Sequence, residues 1–439
     1  MIQTYIFENG FRMIHETPQS KNPITSIYLF CDLGSAFEQD GNRGAAHFIE
    51  HMCFKGTKKI SNSKQIVQTY DNVGAYFNAG TNKRHTYYTV KCGDVHVHHS
   101  LDVLADIVLN STFKKCEYKK EHQVVIEENI KSEDDGNDII ANMMDALLYK
   151  NSSFEYPVDT LHYHSKGKLL YDEVVSMYHR YYQPHNMILS IVSNIPFENL
   201  KKHMKTTYLV KKPNVLTYRE YLFAGSPVTP TKPIYHIQSK VGQTTLHLQI
   251  GFRTCSYYSD DKYPLEVLRK IVGGYFSSRL FMTLREKNGL TYSSSALCDH
   301  YDFLGGFVLY AQTDANKIIK QPNGKPGVLP IIMKIIRDLY ENGITQAELT
   351  MAKQNLRGSF GLDLEDSRNV AFSNGVRLLM KLPPKKIVST QDLYHTYYES
   401  ITKDDVNRVI KTYLNPATMV VCMLGEKVPS QESVQKVCE

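Results

Sequence analysis

Two stretches of this chain share one grammar. YYQPHNMILSIV (Tyr181 to Val192) and TYLNPATMVVCML (Thr412 to Leu424) each run from a helical pattern through tyrosine, proline and methionine into an apolar strand. Their prolines, Pro184 and Pro416, stand about half the chain apart. A chain that closes twice in the same way reads as two domains of one type in tandem. The length agrees, since 439 residues with 42% hydrophobic content exceed one ordinary core. The expected division is a first domain over 1–207, a linker over 208–232, where KKPNV and AGSPVTPTKP collect prolines and small residues, and a second domain over 233–439.

The element order repeats as well. In the first half, strands are expected over Ile2 to Phe7, Phe11 to Glu16 and Ile24 to Cys31, with a helix from Gly44 to Phe54 and another from Ser63 to Val73. Strands over Tyr76 to Ala79 and Thr86 to Lys91 follow, then helices over Leu101 to Leu109, Glu117 to Ser132, Asp138 to Tyr149 and Tyr171 to Tyr181, and a strand over Met187 to Val192. In the second half, strands are expected over Thr244 to Phe252, Leu304 to Thr313 and Met419 to Leu424. Helices are expected over Tyr263 to Lys287, interrupted near Gly273-Gly274, and over Pro330 to Asn342, Gln346 to Leu364 and Lys403 to Tyr413. This mixture is α+β.

Several function classes recede on composition. The net charge of +6 is spread along the chain, with no concentrated Lys/Arg patch for nucleic acid. No apolar run is long enough to span a membrane. The eight scattered cysteines form no C-x-x-C pair and suit a reducing compartment, such as the cytoplasm, better than a disulfide scaffold. The opening MIQTYIFENGFRMIHE alternates around an Asn-Gly turn, a hairpin signal unlike a signal peptide or presequence.

The chemistry sits in GAAHFIEHMCFKGT (Gly44 to Thr57), which carries H-x-x-E-H. Positions i, i+3 and i+4 share one helix face, so His47 and His51 can present two imidazoles to one ion with Glu50 beside them. A catalytic zinc takes three protein ligands and keeps a position for water, whose proton a nearby carboxylate can accept. The reversed order is the inverzincin signature. The plainer alternative is two surface histidines on an amphipathic helix. For a third ligand, EHQVVIEEN (Glu121 to Asn129) offers Glu121, Glu127 and Glu128, with Glu121 and Glu128 two turns apart on one face. A solvated acidic face is the alternative there.

These residues resemble the pitrilysin/insulinase family of zinc peptidases, in particular its mitochondrial processing peptidase β-type branch. GAAHFIEHMCFKGT matches that family's helix almost residue for residue, and Glu128 follows His51 by 77 positions within an E-x6-E pair, as the family's third ligand does. The resemblance implies one zinc per chain on His47, His51 and Glu128, with Glu50 as general base and Glu121 as a carboxylate behind a ligating histidine. It implies two homologous α/β sandwich domains, each a mainly antiparallel sheet with helices packed on it. GAYFNAGTNKRHTYY (Gly74 to Tyr88) resembles the segment whose edge strand pairs with substrate, which makes Asn78 and Ala79 candidate backbone contacts. The family usually has a glutamate where this chain has Arg84. SSRLFMTLREKNGLTYSSS (Ser277 to Ser295) resembles the family's R-x6-Y element, so Arg285 and Tyr292 are implied to hold the substrate backbone and the oxyanion. The second half has no H-x-x-E-H and is expected to carry no metal.

In the family, the zinc-bearing half and the R-x6-Y half meet across a clamshell chamber, which chains of about this length assemble from two subunits. Both elements occur in this one chain, which permits a homodimer with each site completed in trans; a heterodimer with a related subunit is the alternative. The implied activity is endoproteolysis of extended, unfolded peptides. A non-catalytic structural or partner subunit of the same fold is the second reading, which the intact motif with Glu128 opposes. Among the remaining signals, DVHVHHS (Asp94 to Ser100) and LHYHS (Leu161 to Ser165) cluster histidines without an obvious set of carboxylates. Cys53 falls off the ligand face and suits packing. The acidic SEDDGND (Ser132 to Asp138) suits a solvated loop, or a bias toward basic substrates.

Overall fold

The computed structural model describes residues 1–159, 169–213, 229–380 and 387–439. The LHYHS histidines and most of the expected linker lie outside these. Among the described residues the first sheet has six strands, β1 (Ile2–Ile6), β2 (Arg12–Glu16), β3 (Ile24–Cys31), β4 (Tyr76–Thr81), β5 (Thr86–Gly93) and β6 (Met187–Val192), in the order β1-β2-β6-β3-β5-β4. The second has β7 (Ile234–Ser239), β8 (Leu246–Thr254), β9 (Thr291–His300), β10 (Gly305–Thr313) and β11 (Val420–Gly425), in the order β7-β11-β8-β10-β9.

Without β1 the two orders coincide, strand for strand. Each sheet has a single parallel pair, β2 with β6 and β7 with β11, and every other pair is antiparallel. Pro184 and Pro416 open short helical turns leading into β6 and β11, so the shared closing segments are equivalent positions of a repeat. The fold is α+β in two tandem homologous domains. Two of the strands, β7 and β9, were not among the expected ones. β9 reads TYSSSALCDH, an edge strand with small and polar residues in place of an apolar run.

The helices of the first half are α1 (Ala45–Cys53), α2 (Ser63–Asp71), α3 (Val97–Leu109), α4 (Lys115–Asp134), α5 (Gly136–Leu148) and α6 (Tyr171–Tyr181). One face of the first sheet is covered by α1, α2, α3 and α6. Ile27, Leu29 and Cys31 of β3 and Met187, Leu189 and Ile191 of β6 point into that layer, against Phe48, Ile49, Leu101 and Leu104. The alternate residues, Phe30, Ile188 and Val192, are equally buried. They meet a helix from far along the chain, Ser367–Leu379, through Leu379, Val370 and Ala371. Strands buried on both faces read as continuous apolar runs, which is why MILSIV shows no alternation.

The compact units therefore are not contiguous in sequence. The first comprises Met1–Ile130, Pro157–Phe223 and Phe360–Leu393; the second comprises Lys131–Tyr156, Ala224–Ser359 and Tyr394–Glu439. They differ from a division at 207 and 233 by two exchanged segments. Helix α5, from the first half of the sequence, packs on β8 and β11, while Ser367–Leu379 packs on β3 and β6. The physical reason is that each sheet has a second apolar face to cover.

Polar contacts pin the exchanged helix. The Glu16 carboxylate, buried on β2, accepts from Asn374 Nδ2 (2.7 Å) and from the Thr390 amide (3.1 Å) and hydroxyl (3.1 Å). Asp366 accepts from the Arg368 amide at the helix start and pairs with Lys91 of β5 at 3.2 Å. The Arg368 guanidinium, then the Arg368 amide and Lys91, hold the Asp366 carboxyl well below the usual carboxylate range, against its partial burial. A depressed carboxyl contributes stability above its unfolded pKa and loses it as the pH falls through the folded value. Asp366→Ala is expected to cost about 1 kcal/mol at pH 7, the worth of a helix cap. In urea titrations the gap from wild type should narrow below about pH 4, where the unfolded carboxyl protonates. A gap that widens on acidification would contradict the assignment.

Candidate metal centre

Helix α1 is built for two tasks. Ala45, Ala46, Phe48, Ile49, Met52 and Cys53 are buried against the sheet side, while His47, Glu50 and His51 occupy the other face. Its start is held by Glu38, whose carboxylate accepts from the amides of Gly44 and Ala46, both at 2.8 Å. Gly44 takes φ +88, a left-handed turn that favours glycine. Cys53 is fully buried, and burial pushes its thiol up to about 12, so it stays protonated. Its place is the packing face.

Glu121 and Glu128 sit on one face of α4, with buried Val125 between them. Glu127 turns elsewhere and accepts from Gln123 on its own helix (3.2 Å). The three ends that converge are His47 Nε2, His51 Nε2 and Glu128 Oε2. The two nitrogens are 3.1 Å apart, and the carboxylate oxygen lies 3.4 Å from His51 and 3.9 Å from His47. Tetrahedral zinc with bonds near 2.1 Å separates its ligand atoms by about 3.4 Å. The residues present therefore fit a zinc ion, and Glu128, with a half-exposed side chain, leaves the site open on one side. Among the described residues this is the one histidine, cysteine or carboxylate grouping that could hold a metal. The histidines of DVHVHHS do not join another: His98 stacks on His203, with ring centroids 4.1 Å apart, and His203 faces Asp102.

Carboxylates stand behind both imidazoles. Glu121 lies 2.8 Å from His51 Nδ1, and its other oxygen is 2.5 Å from Lys55 Nζ. Burial acts to raise the Glu121 carboxyl, but the bonds from His51 and Lys55 outweigh it and hold it low. Asp159 lies 3.0 Å from His47 Nδ1. Both rings thus turn Nδ1 to an acid and Nε2 inward, the orientation a ligating histidine needs.

Glu50 is bound at one oxygen only by Thr81, whose hydroxyl donates to Oε2 at 2.6 Å. Burial raises the Glu50 carboxyl above the ordinary range, while Thr81 and then the two histidines pull the other way. Thr81 ends β4, the edge strand carrying Asn78 and Ala79, whose outer side has no strand partner among the described residues. The Ala79 amide donates to Asn78 Oδ1 at 2.9 Å. Arg84, in the turn after β4, is buried, forms an ion pair with Asp32 and lies over the Phe37 ring. The cation is neutralised within the fold, so it anchors this hairpin.

Arg285 and Tyr292 lie in the second unit and are described within it. Arg285 sits on a wide helical turn, Phe281–Glu286, and its guanidinium donates to the Tyr292 carbonyl at 2.8 Å. Gly289, at φ +59, makes the reversal between them. Tyr292 is exposed at the start of β9, and its hydroxyl donates to Asp314 at 2.8 Å. Residues with no role in the sequence reading thus enter the metal site, Thr81, Asp159 and Lys55, while in the second unit Asp314 holds the Tyr292 hydroxyl. Thr81 could have been found, because it follows Ala79 at strand spacing. Asp159 could not, having no periodic relation to either motif.

A repeated α+β fold with this histidine, histidine and carboxylate grouping on a reversed motif is the arrangement of zinc metallopeptidases. Comparison with known proteins names the lineage. The profile described as insulinase (peptidase family M16) matches residues 15–159, and that of the peptidase M16 inactive domain matches residues 168–356. A Bacillus subtilis protein described as the uncharacterized zinc protease YmxG is 31% identical over 387 residues, covering 87% of this chain and 88% of that one. A Rickettsia bellii protein described as an uncharacterized zinc protease is 32% identical over 319 residues, 71% of this chain and 73% of its own. The crystal structure of a protease from Helicobacter pylori superposes with a TM-score of 0.88 at 21% identity, covering 97% of this chain and 99% of that chain. That of a peptidase M16 inactive domain from Pseudomonas fluorescens gives 0.84 at 19%, covering 98% and 99%. These two likenesses establish the fold. The chain belongs to the insulinase (M16) family of peptidases.

No described helix is long and apolar enough to cross a membrane. The eight cysteines are all free.

Proposed function

We propose that this chain is a zinc-dependent endopeptidase acting on extended, unfolded peptides. The observation that carries the reading is the convergence of His47 Nε2, His51 Nε2 and Glu128 Oε2 beside a carboxylate, Glu50, that no cation neutralises in the described site. His47, His51 and Glu128 would hold one zinc per chain. When bound, that ion supplies a Lewis acid, which polarises oxygen and makes water more acidic.

Glu50 is the general base. Thr81 occupies Oε2 and leaves Oε1 to accept the proton of the attacking water, which it then delivers to the leaving amine. Burial acts to raise its pKa above that of a solvated glutamate, which favours its taking up a proton. The substrate adds to the open edge of β4 as a further strand, with main-chain contacts at Asn78 and Ala79. Such pairing is indifferent to most side chains and demands an unfolded segment. Because Thr81 belongs to the same strand, docking and the base are mechanically joined. Tyr292 and Arg285 grip the substrate backbone and the oxyanion, and are contributed by a second copy of the chain in a homodimer.

The test is metal content by mass spectrometry, together with cleavage of an unstructured peptide library. One zinc per chain and cuts at interior bonds are expected. Stoichiometric zinc without cleavage, alone or with candidate partner subunits, would instead identify a non-catalytic relative. Trans completion is tested by mixing Glu50→Gln with Arg285→Ala subunits, each inactive alone. Recovered activity is expected on subunit exchange, and none would exclude completion in trans.

A further inference from the structure

We infer that Asp159 is a positioning residue for the metal centre, holding His47 in the tautomer and ring orientation that turn Nε2 toward the ion. The inference rests on the proposal that the site binds zinc. A neutral imidazole carries its proton on either nitrogen, and it ligates a metal only through the bare one. At His51 the choice is made by Glu121, 2.8 Å from Nδ1. At His47 the matching position is taken by Asp159, with Oδ1 3.0 Å from Nδ1. Both place a carboxylate on the same ring atom, but Glu121 makes an aligned hydrogen bond whereas Asp159 stands at ion-pair distance without that alignment, and their origins differ too. Glu121 comes from α4, the helix that also carries Glu128, whereas Asp159 comes two residues after Pro157, where the chain re-enters the first unit following Lys131–Tyr156.

The surroundings favour a dedicated role. The His47 side chain is 16% exposed and that of Asp159 33%, so the pair is partly withdrawn from water and its attraction is less screened than on an open surface. The remaining contacts of His47 Nε2 are the other two members of the proposed ligand set, His51 and Glu128, neither of which can set the proton on Nδ1. Removing Asp159 leaves His47 free to place its proton on Nε2 or to turn the ring, and zinc must then select the competent state from a mixture. Partners behind metal ligands are typically worth about 10- to 100-fold in affinity.

The experiment measures zinc dissociation constants by chelator competition for wild type, Asp159→Ala, Asp159→Asn, His47→Ala and the His47→Ala/Asp159→Ala double variant, with thermal unfolding of each metal-free protein. Asp159→Ala is expected to weaken zinc by about 10- to 100-fold while its metal-free unfolding temperature stays that of wild type. Asp159→Asn, which keeps an acceptor for the Nδ1 proton, should recover part of the loss. In the His47→Ala background, removing Asp159 should change nothing further. Wild-type affinity in Asp159→Ala overturns the inference. An equal loss with and without His47, which would mark a general structural effect, overturns it too. Absence of zinc from wild type instead overturns the proposed function and this inference with it.

Discussion

Replacing Glu50 by Gln should lower peptide cleavage by about 10²- to 10⁴-fold while leaving zinc content unchanged. Glutamine has the same shape, and Thr81 can still donate to its carbonyl oxygen, so helix α1 and the edge strand keep their geometry. What disappears is the proton acceptor. The three converging ligand atoms belong to His47, His51 and Glu128, none of which the substitution touches. In wild type, kcat/KM should fall with decreasing pH as Glu50 takes up a proton, the form that burial favours. The assay is single-turnover cleavage of a quenched fluorogenic peptide beside a metal determination on the same sample. Retained cleavage would remove Glu50 from the mechanism. Cleavage and zinc lost together would make it a metal-site residue.

The second large effect concerns the exchanged helix. Phe30→Ala is expected to cost about 3–5 kcal/mol, read as a fall of about 10 °C in the melting temperature of a unit this size. Phe30 is fully buried, on the face of β3 opposite the one packed by α1. Leu379 and Ile188 close around it, and Phe372 packs on its ring with centroids 5.5 Å apart. The backbone of Gly375 approaches so nearly that a Cβ there would overlap the Phe30 ring. A void at that spot cannot collapse readily, because the helix is already pinned by Asn374 and Thr390 on Glu16. The helix Ser367–Leu379 should become sensitive to limited proteolysis before the rest of the first unit. A loss below about 1 kcal/mol would mean that this helix does not seal the sheet in solution.

Much of the site was legible in the sequence because helices are periodic. The spacing of His47, Glu50 and His51 places them on one face, and that of Glu121 and Glu128 on another, before any contact is known. Burial follows the same rhythm: Phe48, Ile49 and Met52 face inward while the polar three do not. The tandem repeat was legible for a related reason, since equal strands closed by equal proline turns leave equal local patterns. β9 and the helix Ser367–Leu379 escaped notice. The first is an edge strand with few apolar residues, and the second, SRNVAFSNGVRLL, carries a glycine and six polar or charged residues, so its helix propensity is weak.

By itself, then, the sequence determined which side chains share a face and that the architecture occurs twice, because 3.6-residue and two-residue periods are written locally. The tertiary structure decided which faces meet. It brought Glu128 to the histidines, set Thr81 on Glu50 and Asp159 on His47, and sent one helix of each half to the other half's sheet. Those contacts join positions tens to hundreds of residues apart. They are chosen by the need to cover two apolar sheet faces and to pair buried polar groups, and such long-range choices leave no period to read.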